Sequence, residues 1–350
     1  MADPRTTSVL DQPLPDLPRH SGSLATPTAR RRYWIIMAIL IVLAAVFAFG
    51  LLAWGNPLPV GTDGFWRIAK RRADSLVAMV IVAFCQGIAT VAFQTVANNR
   101  IITPSIMGFE SLYRAVQTSA VYFLGVAGLI SLQGVFQFGL QVILMVGLAV
   151  ALYGWLLSGK YANLQVMLLV GIVIGGGLGS VSTFMQRLLT PSEFDVLSAR
   201  LFGNVSNADS SYYPLAIPLV AIAGGLLWTK SRRLNLLGLG KDTATSLGIN
   251  YRRELMQVLL LVSILMAVST ALVGPMTFLG FLVATLTYQL ADTYDHRYIF
   301  PMVILVAFVI LAGAYFVMRN IFSAQGVVSI IIEVVGGTLF LIVILRKGRL

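Results

Sequence analysis

Residues 34–54 read WIIMAILIVLAAVFAFGLLAW, 21 residues without a charge, one residue after Arg30-Arg31-Arg32. A helix needs about 20 apolar residues to cross the hydrocarbon core of a bilayer, so this one segment already makes lipid the solvent. Basic residues flank membrane spans mainly on the cytoplasmic side, and the three arginines therefore predict a cytoplasmic N-terminus. Similar runs recur at 75–97, 105–124, 135–157, 164–187, 213–228, 255–273, 277–291, 299–318 and 327–345. They are continuously apolar, with none of the period-two alternation of an outer-membrane barrel. The fold class expected is an all-α integral membrane protein with about ten transmembrane helices.

Composition agrees. Of 350 residues 57% are hydrophobic and 11% charged, against about 25% charged in an ordinary soluble domain. The first 29 residues hold five of the thirteen prolines and no apolar core of a signal peptide. They read as a disordered cytoplasmic tail, followed by a single transmembrane domain over 30–350. With the N-terminus inside, 17 basic residues fall on the cytoplasmic side and 7 outside, which places both termini in the cytoplasm. The exception is Arg67, Lys70, Arg71 and Arg72, a cluster on the side where the rule predicts few.

Few residues could carry chemistry. Cys85 is the single cysteine, and His20 and His296 are the only histidines, so disulfides, thiolate metal sites and histidine-built haem or di-metal sites find no support. No catalytic triad order, His-Glu-x-x-His or cluster of carboxylates points to an intramembrane enzyme. Three ionisable residues lie inside spans. Glu110 and Arg114 are four apart on one helix face and can pair. Glu333 has no local partner and must face a wet cavity, find a distant cation or stay protonated.

The longest cytoplasmic connection, about 229–253, carries six basic residues around Gly238-Leu-Gly-Lys-Asp-Thr243. A phosphate loop needs four residues between its glycines and Ser or Thr after the lysine; Asp242 stands there instead. A short helix capped at Asp242 or Thr243 and closed by Gly248 fits better. Its small and apolar side chains suit a partner's groove, although a loop obeying the positive-inside rule would look similar. In the fifth span, Gly171 to Gly179 offers overlapping Gly-x-x-x-Gly spacings, which favour close helix packing; glycines on another face could leave room for a solute.

The run from Phe93 to Tyr113, with Asn98-Asn-Arg-Ile-Ile-Thr-Pro-Ser105 at its centre, the loop Thr243 to Gly248, Gly274-Pro-Met-Thr-Phe-Leu-Gly280 and Asp295-His-Arg297 occur in that order. Together they resemble the FecCD-type (BtuC-like) permeases of ABC importers for iron-siderophores, haem and cobalamin, over residues 34–350. The Asn98 to Ser105 form is most similar to the siderophore branch handling catecholate-type and related chelates. The resemblance implies a type II ABC importer permease fold, and a permease rather than an enzyme. The partners implied are a second permease, commonly a paralogue, two cytoplasmic ATPases, an extracytoplasmic siderophore-binding protein and membrane lipid; nucleic acid is not among them. It also implies no cofactor in this chain, ATP and Mg residing on the ATPases. A coupling helix would use Leu239, Gly240, Thr243, Ala244, Leu247 and Gly248. Arg67, Arg71, Arg72 and Arg319 would dock the binding protein, their alternative being anchorage at the membrane surface. Met185, Gln186 and Glu333 would line the translocation pathway. Localisation follows as the bacterial cell membrane. A haem or cobalamin permease is the rival within the class, and a proton-coupled secondary transporter the rival outside it.

Overall fold

The computed structural model describes residues 22–24, 26–54, 58–59, 61–131, 134–158, 164–205, 208–320 and 328–347. Most of the expected tail, and Lys160, lie outside them. Among these described residues thirteen α-helices run in order: α1 (Pro27–Ala53), α2 (Asp63–Val96), α3 (Glu110–Ser131), α4 (Val135–Ser158), α5 (Leu164–Gln186), α6 (Pro191–Leu201), α7 (Tyr213–Thr229), α8 (Ser231–Leu237), α9 (Lys241–Ser246), α10 (Tyr251–Val273), α11 (Leu279–Ala291), α12 (His296–Asn320) and α13 (Val328–Lys347). The ten expected spans fall on α1, α2, α3, α4, α5, α7, α10, α11, α12 and α13. Seven of these are long and apolar enough to cross a membrane by length and composition alone. The first helix starts earlier than expected: Thr26 accepts the Ala29 N–H and Pro27 opens the first turn, so residues 27–29 belong to α1 rather than to the tail.

In hydrocarbon a backbone has no water to bond, so helix is the only open form available. The sequence of α2 and α10 goes further and is apolar or small nearly all round. These two helices form the centre, with 78% and 72% of their most apolar stretches buried against 17% for α1. Gln86 Nε2 donates to Ser269 Oγ across their interface (3.2 Å). Around this pair, α12 packs on α2 and α11, α1 on α12, and α4 and α7 on α10, while α3 packs on α5. Its 34 residues make α2 about 51 Å long, well beyond a hydrocarbon core of about 30 Å. Its first turns, carrying Arg67 to Arg72, therefore project past the apolar layer. We call this the Arg71 end and the opposite one the α9 end.

Two breaks between successive helices bear on the site. After α2 the chain turns through 97–104 and a π turn at Ser105–Phe109 before α3, with Gly108 at φ +104°. After α10 it breaks at Gly274, φ +88°. The first break seats against the glycines of α5. A Cβ added to Gly175 would lie 3.0 Å from Gly108 Cα, and one on Gly171 would lie 3.1 Å from Met107 O, whereas a Cβ on Gly176, Gly177 or Gly179 would meet nothing within 4 Å. The glycine run thus has two faces: one packs, as its spacing predicts, and the other stands open.

Overpacking a tight contact costs about 1–3 kcal/mol. Gly175→Leu should accordingly lower the melting temperature of the purified protein in detergent, while Gly177→Ala should leave it unchanged.

Candidate functional site

The connection between α7 and α10 holds two helices rather than one. Leu234 and Leu237 of α8 are buried. Asn235 Nδ2 donates to Asp295 Oδ1 (3.1 Å), and Asn235 Oδ1 accepts from the His296 backbone N–H (3.1 Å) and from ring Nδ1 (2.5 Å). His296 Nε2 in turn lies 2.7 Å from Thr95 Oγ1 on α2. Burial pushes the Asp295 carboxyl up, but hydrogen bonds from Arg297 and Asn235 outweigh it and hold its pKa at about 2. At the other end of α8, Lys230 and Arg233 both bond the Glu254 carboxylate on α10, and Lys230 also reaches Gln257 Oε1 (2.6 Å). This short arm is thereby fastened to α2, α10 and α12 at once.

The arm carries α9. Its expected cap at Asp242 or Thr243 is corrected: Gly240, at φ +96°, is the N-cap, and no side chain caps the helix. Its end follows expectation. Gly248 adopts φ +83°, with Gly248 N–H to Thr245 O and Ile249 N–H to Ala244 O, the paired bonds of a Schellman motif. Leu239 and Leu247 are exposed at 57% and 56%, and Thr243 is exposed beside them, but Ala244 is fully buried. Ala244 therefore packs the arm and presents nothing to a partner. Leu239, Thr243 and Leu247 make a small exposed knob beside the turns at Gly240 and Gly248.

At the Arg71 end, Arg67, Lys70 and Arg71 are exposed and Arg319 is half-buried. Arg72 departs from expectation. It is 7% exposed, and its Nη1 donates to Leu52 O (3.0 Å) and Trp54 O (2.9 Å), the free carbonyls at the end of α1. Its position is structural, while Arg319 lies near enough for the two cations to act on each other.

The pathway residues are redistributed too. Gln186 Nε2 donates to Thr118 Oγ1 (3.2 Å), and Met185 Sδ faces Ser119 Oγ (4.0 Å), so both lean on α3. Gln186 still borders a groove of about 580 Å³ between α3, α5 and α6, together with Arg114, Arg187, Ser111, Ser180 and Thr183. Glu110 and Arg114 do not form the expected pair: among the described residues no ion pair joins them. Instead Glu110 Oε2 accepts from Thr277 Oγ1 (2.5 Å), and Arg114 points into the groove, with Glu110 and Glu333 both within electrostatic range. The structure thus gathers all three intramembrane charges in one place. Arg187 and the hydroxyl face of α5 went unnoticed in the sequence; the spacing of Ser180, Thr183 and Arg187, at i, i+3 and i+7, could have shown one helix face.

A model of the FecCD transport family matches residues 36–346. The chain belongs to the FecCD transport family. This FecCD chain is 53% identical over 341 residues to the petrobactin import system permease protein FatC of Bacillus anthracis, covering 97% of this chain and 96% of that one. It is 33% identical over 316 residues to the petrobactin import system permease protein YclO of Bacillus subtilis, covering 90% and 97% respectively. A solved inward-facing structure described as a metal-chelate type ABC transporter shares its fold, with TM-score 0.78 and 20% identity over 90% of this chain and 100% of that one. The FecCD chain is thus an all-α, multi-pass membrane protein with the fold of an ABC importer permease.

Ala244→Asp would bury a carboxylate with no partner, at about 3 kcal/mol or more, and should sharply reduce the yield of folded FecCD protein. Leu247→Asp, at an exposed position, should leave yield and melting temperature as they are.

Proposed function

We propose that the chain is one permease subunit of an ABC importer that carries a ferric siderophore, petrobactin or a close chemical relative, across the bacterial cell membrane. The observation that carries this reading is the 53% identity, spread over nearly the whole length, to a permease named for petrobactin import. A second permease named for petrobactin import in the same Bacillus, FatD, is 25% identical. Two unlike permeases bearing one substrate name support a paralogue as the partner here.

In this reading the α9 end faces the cytoplasm, both termini lie there, and the knob of Leu239, Thr243 and Leu247 seats in a groove of an ATPase. ATP and Mg belong to the ATPases, and the chain itself needs no cofactor. A knob on a floppy loop would absorb the motion of its partner. Here α8 is fastened to three core helices, so displacement of α9 reaches α2, α10 and α12. Such coupling requires the two permease states to bind the ATPase pair with different affinities. The Arg71 end then faces outward, and Arg67, Lys70, Arg71 and Arg319 offer a cationic rim to acidic groups of a binding protein. Charge pairs at a rim speed and orient docking and are weakened by salt.

The test of the whole reading is uptake in proteoliposomes of the permease pair with its ATPases and binding protein. Ferric petrobactin should enter, haemin and cobalamin should not. Uptake should stop when the ATP-hydrolysing glutamate of the ATPase is replaced and survive a collapsed proton gradient; the reverse pair of results would make this a secondary transporter. Leu247→Asp, still folded, should lose the ATPases on purification.

The rim has its own test. Arg67→Glu combined with Arg71→Glu should weaken docking of the binding protein by at least about tenfold at low salt and leave complex assembly intact. Arg72→Met should instead lower the melting temperature without a specific docking loss.

A further inference from the structure

We propose that the groove between α3, α5 and α6 is an anion-recognition site on the transport route, in which Arg114 and Arg187 present guanidinium groups to the oxyanion oxygens of the passing chelate. This rests on the reading of the chain as a permease for metal chelates, and it assigns to that route the residues that meet the solute's charge.

An arginine within a span is costly, and such residues face a bundle interior or a wet cavity and mark functional paths. Arg114 is exposed in the groove, and neither it nor Arg187 has a carboxylate within ion-pair distance among the described residues. Three of the other polar side chains lining the groove are already engaged. Ser180 Oγ donates to Gly176 O (3.0 Å), Thr183 Oγ1 to Gly179 O (2.9 Å), and Gln186 Nε2 to Thr118. The two guanidinium groups are thus the strong donors left with free capacity, and a planar fork of N–H groups suits a carboxylate or catecholate oxygen pair.

Space is provided by absence. Gly176 and Gly179 line the groove, and a Cβ on either would meet nothing within 4 Å. Behind Arg114 stands the second element of the site. Glu110 is 7% exposed, with Oε2 on Thr277 and Oε1 buried without a partner, and Glu333 approaches from α13. A solute on a transport route must bind well enough to enter and weakly enough to leave. Two arginines alone would hold an anionic chelate tightly. Two carboxylates within electrostatic range of one of them reduce that hold, which also gives Glu333, otherwise repulsive to an anion, a purpose.

The experiment uses the complete transporter, with uptake of radiolabelled ferric petrobactin and its salt dependence as readouts, and with complex assembly and basal ATP hydrolysis as folding checks. Arg114→Met and Arg187→Met should each assemble and reduce uptake by about tenfold. Arg114→Lys should recover most of it, and Glu333→Gln should lower the half-saturating concentration together with the maximal rate. Normal wild-type uptake with unchanged methionine variants would overturn the anion site and leave the permease reading standing. Absence of wild-type uptake of ferric petrobactin would sink the siderophore reading. The groove is then read with haemin, whose propionates carry the negative charge, and equal haemin uptake by wild type and Arg114→Met would overturn it.

Discussion

Everything in this molecule answers to one constraint: inside hydrocarbon, each backbone N–H and C=O must be satisfied by protein. Helices meet it automatically, so the informative places are where helices stop. Between α2 and α3 the side chains take over the duty. Gln94 Nε2 donates to Arg100 O (2.7 Å), Asn99 Oδ1 accepts from Ile101 N–H (2.9 Å), and Thr103 Oγ1 stands 3.5 Å from Ile106 N. Between α10 and α11, Gly274 lies against the backbone of Phe202 and Gly203. The Glu110 to Thr277 bond then ties the two breaks together. The Asn-Asn-Arg-Ile-Ile-Thr-Pro-Ser stretch therefore ends a helix by giving side-chain hydrogen bonds to the backbone that the helix no longer pairs.

The same economy of polar groups explains the α8–α9 arm. A buried Glu254 between Lys230 and Arg233, and Asn235 bonded at both ends of its amide, are arrangements that become expensive when half broken. That cost is what stiffens the arm. Since α9 has only six residues and no side-chain cap, it could not persist by propensity; the two glycine turns and the buried Ala244 hold it. Rigidity at the root and an apolar knob at the tip are what a lever requires.

Hydropathy pointed to the ten helices that carry the expected spans, seven of them long and apolar enough to cross a membrane, because burial in lipid demands a composition, and composition is visible in one dimension. The end of α9 was legible for a similar reason: Gly248 answers a positive φ that few other residues tolerate. What stayed hidden depended on three-dimensional neighbours. Arg72 differs from Arg71 only in which side of α2 it occupies, and the free carbonyls of α1 happen to lie on that side. Ala244 is as small and mild as an exposed coupling residue should be, and only the packing of α8 against it shows that it points inward. Met185 and Gln186 stand in the last turn of α5 and turn toward α3. Helix α6 had a readable signal, the Thr190 to Glu193 capping box with Pro191 at its first turn, overshadowed by longer apolar runs on either side.

The positive charge of the chain can now be divided by physical role rather than by side of the membrane. Lys230 and Arg233 neutralise Glu254 and brace the arm; Arg72 closes α1; Arg297 holds Asp295; Arg67, Lys70 and Arg71 remain in solvent on an overlong helix. Arg114 belongs to none of these groups. It lies six residues beyond Gly108, so the close seating of that glycine on Gly171 and Gly175 fixes where the first turns of α3 stand relative to α5. Had either α5 glycine carried a side chain, α3 would stand farther off, and Arg114 would no longer share a groove with Arg187. The packing face of the glycine run thus sets the geometry of the open one.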